Sequence, residues 1–379
     1  MNLSIWQRTL ILALGLFFTM AGQATDLRRV SNPDEAGLRS GPLAALLDHI
    51  RREQLDIRAL VVARRGQIGF EWHSALSSPE HNHKIFSVTK SVVALLLGQA
   101  LAQQETFSVD SAVGDLFKHL SPTPDVAAIT LEQLLMMRSG LAEARAPSPA
   151  FVALHRAPDR VRHIVEQDPI RAPGVRFQYG NAGSQLLAGA VQTITGVPLV
   201  VFAEKHLFRP LGFSNYNWMY PDRQGLVTGG YGLRLRAEDM ARLGQLALQR
   251  GQWAGVQHVP EAYMARATRA GPDRFYGYQW WTGVAAAGQD SFAALGVRGQ
   301  LIQVVPSKEL VFVMTASLKK SDARRVRVDV MQKFVMPAVD GTPDSPADRQ
   351  ALAQARQRMQ SYKPDVTRPD DLPLPPGAQ

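Results

Sequence analysis

A serine and a lysine at the start of an apolar segment carry the clearest chemical potential in this chain. Ser87 and Lys90 form a Ser-x-x-Lys pattern, and the residues at 92–97 are all apolar. Side chains three residues apart share one face of a helix, so the pattern places a hydroxyl nucleophile beside an amine base. The positive helix N-terminus and its N–H groups would stabilise an oxyanion there. Ser-x-x-Lys occurs by chance in many helices, so the motif needs further support.

The helix predicted from Ser87 to about Gln103 is apolar nearly all round, which is typical of a buried helix. A charged lysine in a buried first turn is costly unless it has partners. This cost is the first indication that Lys90 has a role other than solubility.

A second proton-transfer group is available in Tyr179, which forms Tyr-x-Asn with Asn181 on a glycine-containing turn. A turn of this kind can point a side chain into a cleft. Taken alone, Tyr179 would be interpreted as a half-buried turn tyrosine. Combined with Ser87 and Lys90, in this order along the chain, it favours a catalytic interpretation.

With these motifs, the chain resembles the serine beta-lactamase-related hydrolases, close to class C beta-lactamases and esterases. It is most similar to the branch that includes 6-aminohexanoate-dimer hydrolases. The resemblance covers roughly residues 55 to 335. It is carried by blocks at 86–91, 129–141, 172–181, 210–212, 276–281 and 299–314. The family implies an α+β fold, with an antiparallel sheet flanked by helices, an inserted helical domain and an active site between the two.

The resemblance also implies roles for individual residues. Ser87 would be acylated, Lys90 would take its proton, and Tyr179 would relay that proton to the leaving group. Asn181 would hydrogen-bond the substrate or Lys90. The Ser87 N–H and one N–H near the end of a strand would hold the oxyanion. The candidates for that strand end are Ala294, Gly296, Val297 and their neighbours.

The chain departs from class C beta-lactamases at their third motif, Lys-Thr-Gly. The comparable region, 291–296, contains no lysine, so recognition of a substrate carboxylate is in doubt. Arg298 either supplies a positive charge nearby or faces solvent. Trp280 and Trp281 are candidates for the pocket wall, although core packing is expected for at least one of them.

These features predict an exported serine hydrolase that acts on a small ester or amide and needs no cofactor or metal. The alternatives are a beta-lactamase or a peptidoglycan D-Ala peptidase, and a non-catalytic cell-wall binding protein on the same fold. His81 and His83 could ligate a metal, but without a third ligand nearby they are interpreted as loop histidines.

Composition limits the class of protein. The chain has 379 residues, 45% of them hydrophobic, a net charge of +9 and no cysteine. Thiol chemistry and lipid attachment through cysteine are therefore excluded. The basic residues are scattered, so no nucleic-acid partner is predicted. Residues 1–24 resemble a cleaved signal peptide, which predicts a periplasmic protein without stable membrane insertion. A retained N-terminal anchor is the alternative, and the oligomeric state is open.

The elements that must position the site come from both ends of the chain. Hairpins are predicted around 59–72 and 301–314, and a further strand at 276–281, with helices between them. We therefore expect a discontinuous sheet domain at 25–85 and 236–340. A helical domain at 86–235 would carry both motifs, and the Pro-rich tail at 341–379 would be peripheral.

Within the helical domain, one helix is predicted to begin at a capping box formed by Thr130 and Gln133 and to stop at Gly140. The stretch at 142–173 contains several prolines and is expected to be irregular and long enough to line the site.

Overall fold

A computed structural model describes residues 27–284, 286–341, 344–365, 368 and 371–377. The predicted signal peptide at 1–24 lies outside these residues. The strands are β1 (Arg28–Arg29), β2 (Ile57–Arg64), β3 (Gln67–His73), β4 (His83–Lys84), β5 (Asn217–Trp218), β6 (Leu233–Leu235), β7 (Gln252–Trp253), β8 (Val256–Gln257), β9 (Trp281–Thr282), β10 (Phe292–Leu295), β11 (Leu301–Val305) and β12 (Leu310–Ala316).

The helices come both before and after the main strands. They are α1 (Ser40–Arg52), α2 (Val88–Leu101), α3 (Val113–Phe117), α4 (Pro124–Ala127), α5 (Leu131–Leu135), α6 (Pro149–Arg156), α7 (Arg160–Val165), α8 (Ala182–Thr195), α9 (Leu199–Ala203), α10 (Ala237–Leu248), α11 (Glu261–Ala267), α12 (Ala323–Val330), α13 (Met336–Val339) and α14 (Pro346–Met359). Single π-helical turns extend α9 through Glu204–Phe208 and join α12 to α13 through Met331–Val335.

Within the described residues, the main sheet has seven strands in the order β1-β3-β2-β12-β11-β10-β9. Its neighbours are antiparallel except for the short edge strand β1, which runs parallel to β3. The two hairpins predicted from alternating apolar residues are confirmed as β2–β3 and β11–β12. They meet where β2 pairs with β12, so the sheet unites both ends of the chain as expected.

Successive side chains of each strand point to opposite faces of the sheet, and both faces are covered by apolar cores. Leu60 and Phe312 point into one core, which contains α1 and the helices from α12 to α14. Val61 and Val313 point into the opposite core, which contains α10 and the helices α2 and α8. The sheet is therefore flanked by helices on both sides, in agreement with the predicted fold class.

The inserted helical region begins and ends on two short strands that pair with each other. β4 precedes α2, and β6 precedes α10, with His83 opposite Leu235. This pairing brings the start of α2 close to the end of the inserted region. The predicted boundaries between sheet and helical domains stay predictions.

Two predictions for the inserted helical region were wrong, one for a loop and one for the end of a helix. The stretch at 142–173, expected to be irregular, contains α6 and α7, which begin at the capping side chains of Ser148 and Asp159. The helix expected to stop at Gly140 ends at Leu135. Its predicted capping box between Thr130 and Gln133 is present, with hydrogen bonds of 3.0 and 3.2 Å.

The C-terminal tail is not peripheral. Leu352, Ala355 and Met359 of α14 are buried in the same core as α1. Further on, Leu374 pairs with Asn82 through two backbone hydrogen bonds of 2.8 and 2.9 Å. The apolar spacing in α14 was visible in the sequence, but its partner α1 lies about 300 residues away, a separation that local patterns do not reveal.

In the described part of the chain, no single helix is long and apolar enough to cross a membrane. One pair, Ala182–Thr195 with Leu199–Phe208, meets the length and composition criteria together but is bent by 77°. The first ten residues of α8 are buried in the protein core.

Candidate active site

Ser87 lies immediately before the first turn of α2, where the sequence predicted a helix start. The preceding residue, Phe86, has a φ of 48°, a left-handed conformation that a bulky side chain rarely adopts. Such local strain is concentrated at functional sites, where the surrounding structure must hold it. Here it turns the chain sharply from β4 into the helix.

Lys90 lies one turn into α2 and is only 1% exposed. Its Nζ donates to Asn181 Oδ1 at 2.6 Å and to the Gly230 carbonyl oxygen at 2.7 Å. The same atom lies 3.4 Å from Ser87 Oγ. The amine is thus held beside the hydroxyl by two strong acceptors, as a buried lysine requires.

Burial lowers the pKa of Lys90 to about 7, and the positive charge of nearby Arg145 contributes in the same direction. Burial disfavours the charged form because the low-dielectric interior cannot replace its hydration. A large fraction of Lys90 is therefore neutral near pH 7. Only the neutral amine has the lone pair needed to accept a proton from Ser87.

The phenol of Tyr179 forms a hydrogen bond with the Ser87 side chain. Burial raises its pKa to about 12, while a hydrogen bond with Ser87 and the charge of Arg145 act in the opposite direction. The Tyr179 ring centroid lies 5.1 Å from Lys90 Nζ. The structure therefore brings the hydroxyl, the amine and the phenol together, as the sequence motifs predicted.

Asn181 is fixed at the start of α8 by the preceding loop. Its backbone N–H donates to the Glu143 carbonyl at 3.0 Å, and its Nδ2 donates to the Ala144 carbonyl at 2.6 Å. Because the amide nitrogen is used in this way, Oδ1 faces Lys90. Of the two roles predicted for Asn181, the structure shows the contact with Lys90.

Gly230 is a site residue that the sequence motifs did not identify. A Cβ at this position would lie 2.6 Å from Asn181 Oδ1 and 3.1 Å from Lys90 Nζ. Only glycine lets the backbone carbonyl approach the amine so closely. The available signal was the pair Gly229-Gly230 within a glycine-rich stretch, which marks a close backbone approach without indicating its partner.

The end of β10 supplies candidate N–H donors for an oxyanion. The Gly296 N–H donates to the Gln300 carbonyl at 2.9 Å, so it is already used. Hydrogen-bonded pairs alternate along an antiparallel ladder, and the same register directs the Ala294 N–H towards Ile302. The alternation directs the Leu295 N–H to the opposite side, and Val297 follows β10 in a 3-10 turn. Of the predicted candidates, Gly296 has its N–H in the ladder, and Val297 and its neighbour Leu295 are the donors that we retain; which N–H binds the oxyanion stays a prediction.

On that opposite side, β9 begins only at Trp281 and pairs with β10 at Phe292 and Ala293. Trp281 pairs with Ala293, and the chain before it turns away. The prediction of a strand over 276–281 is therefore wrong in its range, since the strand comprises only Trp281–Thr282. Tyr276 bridges to Trp281 across a tight turn in which Gln279 has a φ of 59°.

Gln279 ties this turn to the helices of the site, a role that the sequence did not reveal. Its carbonyl accepts from Ser91 Oγ at 2.7 Å, and its Oε1 accepts from Ser184 Oγ at 2.9 Å. Its side-chain amide donates to the carbonyls of Leu134 and Leu135. One buried glutamine therefore connects α2, α5 and α8 to the turn that carries Trp281.

An aromatic wall borders the site beside Tyr179. The ring centroids of its contacting pairs are 4.9 to 6.4 Å apart. The members of this wall are Phe177, Tyr179, Phe275, Tyr276 and Trp281. The Trp281 and Tyr179 centroids are 5.5 Å apart. Trp280 is fully buried and packs on Phe292, so it belongs to the core, as expected for one of the two tryptophans.

Two arginines near the site are paired with carboxylates. Arg145 forms an ion pair with Glu143 at 2.7 Å. Arg298 is paired with Asp371 of the C-terminal segment, and its guanidinium lies 5.5 Å from the Phe86 ring centroid. Arg298 therefore does not simply face solvent; its side chain is 28% exposed.

The histidines at 81 and 83 lie apart from this arrangement. His83 is buried in β4 with its Nε2 3.2 Å from Ser77 Oγ, and burial lowers its pKa well below the usual value. Among the residues that the structure describes, no group of three or more His, Cys, Asp or Glu side chains is arranged to hold a metal ion.

Comparison with known proteins agrees with this geometry. The beta-lactamase family model matches residues 48–335, more than half of the chain. A 6-aminohexanoate-dimer hydrolase from Paenarthrobacter ureafaciens is 25% identical over 329 residues, which cover 79% of this chain and 83% of that protein.

Solved structures show the same fold. EstCE1, described as a hydrolase with promiscuous acyltransferase activity, superimposes with a TM-score of 0.66 at 17% identity and covers 80% of this chain and 99% of its own. A penicillin-binding protein homologue from Caulobacter crescentus gives a TM-score of 0.64 at 15% identity, with coverage of 78% and 97%. The chain therefore belongs to the beta-lactamase family, as a serine beta-lactamase-related hydrolase.

Proposed function

We propose that this protein is an exported serine hydrolase that cleaves a carboxylic ester or amide through an acyl-enzyme formed on Ser87. The observation that carries the proposal is the position of Lys90. Its buried amine, with a pKa lowered to about 7, lies 3.4 Å from the Ser87 hydroxyl. A base poised near neutral pH beside a hydroxyl is the requirement for activating a serine.

In acylation, Ser87 Oγ attacks the carbonyl carbon while neutral Lys90 accepts the hydroxyl proton. The carbonyl oxygen becomes an oxyanion, which the N–H of Ser87 and one N–H from Leu295 or Val297 stabilise. The bond to the leaving group then breaks, and Tyr179 donates its proton to that group. Tyr179 regains a proton from Lys90, so the amine is neutral again.

In deacylation, a water molecule attacks the acyl carbon. Tyr179 accepts the proton of the water as it passes its own phenol proton to neutral Lys90, which becomes charged. The ester bond to Ser87 breaks, and Ser87 Oγ takes that proton back as the acid is released. The high pKa of Tyr179 favours its protonated form, which lets it act as a donor before it acts as an acceptor.

The surroundings of Ser87 favour small esters and linear amides over beta-lactams and peptidoglycan. The aromatic wall offers an apolar surface for an acyl chain, and the third motif lacks the lysine that binds a carboxylate in class C beta-lactamases. The relative named as a 6-aminohexanoate-dimer hydrolase, 25% identical to this chain, supports a linear amide as one candidate substrate.

Export is part of the same proposal. It is supported by the apolar stretch at 10–18 and by the small residues around Ala24. Sequencing the mature N-terminus from a periplasmic fraction would test it. A chain that still begins at Met1 and stays with the membrane would favour the retained anchor instead.

The catalytic proposal is tested by labelling the intact protein with a fluorophosphonate and locating the adduct by peptide mass spectrometry. We expect an adduct on Ser87, with hydrolysis of a chromogenic ester that the Ser87→Ala variant loses. Ser121→Ala, which changes an exposed serine, is the matched control. A parent protein that takes no label would favour the non-catalytic binding protein.

The same assay extended to a substrate panel addresses the choice of substrate. Short esters, a linear amide and a cephalosporin should be compared under one condition. We expect the ester and the linear amide to be cleaved faster than the cephalosporin. The reverse order would favour the beta-lactamase alternative.

A further inference from the structure

Two loop segments beside the aromatic wall expose large apolar side chains to solvent. Val175 is 66% exposed and Ile170 is 58% exposed, which makes them the two most exposed large apolar side chains in the described part of the chain. Phe275, a member of the aromatic wall, is 41% exposed. Large apolar groups that are exposed together are typical of a surface that binds a partner or a membrane.

Arg138 holds the two segments side by side. Its guanidinium donates to the Val175 carbonyl at 3.0 Å and to Asp273 Oδ2 at 2.6 Å. The Ile170 N–H donates to the Gly140 carbonyl at 3.0 Å, two residues after Arg138. The exposed apolar side chains of the two segments therefore belong to one region of the surface.

This region is continuous with the active site. The ring centroids of Phe177 and Phe275 are 4.9 Å apart, and those of Phe177 and Tyr179 are 6.4 Å apart. The aromatic wall thus leads from the catalytic phenol outwards to the exposed side chains. Whatever binds this region is held next to Ser87.

Arginines are interspersed with the apolar residues. Arg171, Arg176 and Arg274 are exposed, and none of the three forms an ion pair with a residue that the structure describes. Asp273 is already paired with Arg138. Asp168, two residues before Ile170, is the other acidic side chain nearby in the sequence, so the region carries a net positive charge. We call it the rim, and its members are Ile170, Arg171, Val175, Arg176, Arg274 and Phe275.

We infer that the rim binds a bilayer that contains anionic lipids and so holds the entrance of the site at the membrane surface. Arginines bind the phosphates of lipid headgroups, while apolar side chains enter the layer just beneath them. Nucleic acid would satisfy the arginines but offers no apolar layer. A symmetric dimer through the rim would place like charges opposite one another. The contact is peripheral, because it requires no helix to cross the bilayer.

Sedimentation with vesicles tests the inference. The protein is isolated as the cell processes it and carries Ser87→Ala, so that no lipid is hydrolysed. The vesicles contain phosphatidylcholine alone or phosphatidylcholine mixed with anionic phosphatidylglycerol. We expect tighter binding to the mixed vesicles, and loss of this preference at about 1 M salt, where the Debye length falls to about 3 Å.

Variants assign the binding to the rim. Arg176→Gln, Arg274→Gln and Val175→Ser should each weaken binding to the mixed vesicles about fivefold, the effect of one charge or one aliphatic side chain lost from the contact. The matched controls are Arg51→Gln in α1 and Val201→Ser in α9, which change exposed residues on other elements and should leave binding unchanged. All proteins are isolated in the same processed form, so any contribution from the N-terminus is common to them.

Rim variants that are folded and bind like the controls would overturn the inference, as would equal binding to neutral vesicles. Rim-dependent self-association, or rim-dependent binding of nucleic acid without binding of vesicles, would also overturn it. The measurement needs no acylation, so it is independent of the proposed function. A parent protein that binds vesicles but hydrolyses no ester or amide would contradict the proposed function alone, and one that hydrolyses them but ignores vesicles would contradict the rim alone.

Discussion

Lys90 Nζ and Asn181 Oδ1 lie 2.6 Å apart, although 91 positions separate them in the chain. This hydrogen bond joins the first turn of α2 to the start of α8, and it directs the amine towards Ser87. Asn181 is itself held by two carbonyls of the loop before it. The position of the base is therefore set by α2, by the start of α8 and by the loop before it, and not by α2 alone.

The pH dependence of hydrolysis should report the protonation of Lys90. Because burial lowers its pKa to about 7, kcat/KM for a neutral ester should rise with pH through about 7 and level off above it. Below that range the amine is charged and cannot accept the Ser87 proton. A pH–rate profile between about pH 5 and pH 10 measures this. Lys90→Arg should be inactive throughout, since a guanidinium stays protonated. An inflection near the ordinary pKa of a lysine side chain would contradict the assignment of Lys90 as the base.

Gly230→Ala should reduce kcat/KM by at least about 100-fold, because small displacements of a catalytic group have effects of this size. The added methyl would lie 2.6 Å from Asn181 Oδ1 and would force that side chain, and Lys90 with it, to move. Steady-state kinetics provide the measurement, with thermal unfolding to confirm folding.

The matched control for Gly230 is Gly183→Ala in the first turn of α8. Its added methyl would meet nothing closer than 3.5 Å. Because alanine also favours helix, this variant should keep near-parental activity and stability. Equal activity in the two variants would show that the Gly230 carbonyl does not position the base.

The two adjacent tryptophans should respond differently to substitution. Trp281→Ala removes part of the aromatic wall, so we expect KM for an apolar acyl ester to rise by a factor that corresponds to about 1–2 kcal/mol. Trp281→Phe should retain most of that binding. Trp280→Ala should instead lower the free energy of unfolding by about 3–5 kcal/mol, since Trp280 is fully buried. Steady-state kinetics measure the effect on substrate binding, and urea unfolding measures the effect on stability. Similar effects from both alanine variants would contradict the assignment of Trp281 to the site and Trp280 to the core.

Leu352→Ala in α14 should destabilise the protein by about 2–5 kcal/mol, the cost typical of a large-to-small change in a core. Leu352 is 3% exposed and packs in the core shared with α1. Urea unfolding at equilibrium measures the loss. Gln354→Ala, on the exposed side of the same helix, should change the stability by less than about 0.5 kcal/mol. A loss below that limit for Leu352 would mean that the tail helix is dispensable.

Local patterns in the sequence predicted much of this protein. Alternating apolar residues identified the hairpins β2–β3 and β11–β12, and the all-apolar face of α2 identified it as buried. The capping box at Thr130 was recognisable because both of its partners lie within one helical turn. Each of these features is encoded by residues close together in the chain.

The features that the sequence did not reveal depend on distant contacts. Gly230 acts through its backbone carbonyl, a group that every residue has. A glycine in the sequence therefore indicates a close approach of the backbone to another group, but it does not identify Lys90 as that group. Arg298 could not be assigned because Asp371, which balances its charge, lies 73 positions away. The helices at 149–165 are a different case, because Ser148 followed by Pro149 is a local signal for a helix start.

The central strand pairing has a consequence for how the chain folds during its synthesis. Val62 pairs with Phe312, about 250 residues later, so the sheet cannot close until the last strands have left the ribosome. Until then α2, which carries Ser87 and Lys90, has no sheet to cover its apolar surface. Transiently exposed apolar surface of this kind makes a nascent chain prone to aggregation. For the exported protein that we propose, the same delay would keep the chain in the unfolded form that passes through a secretion channel.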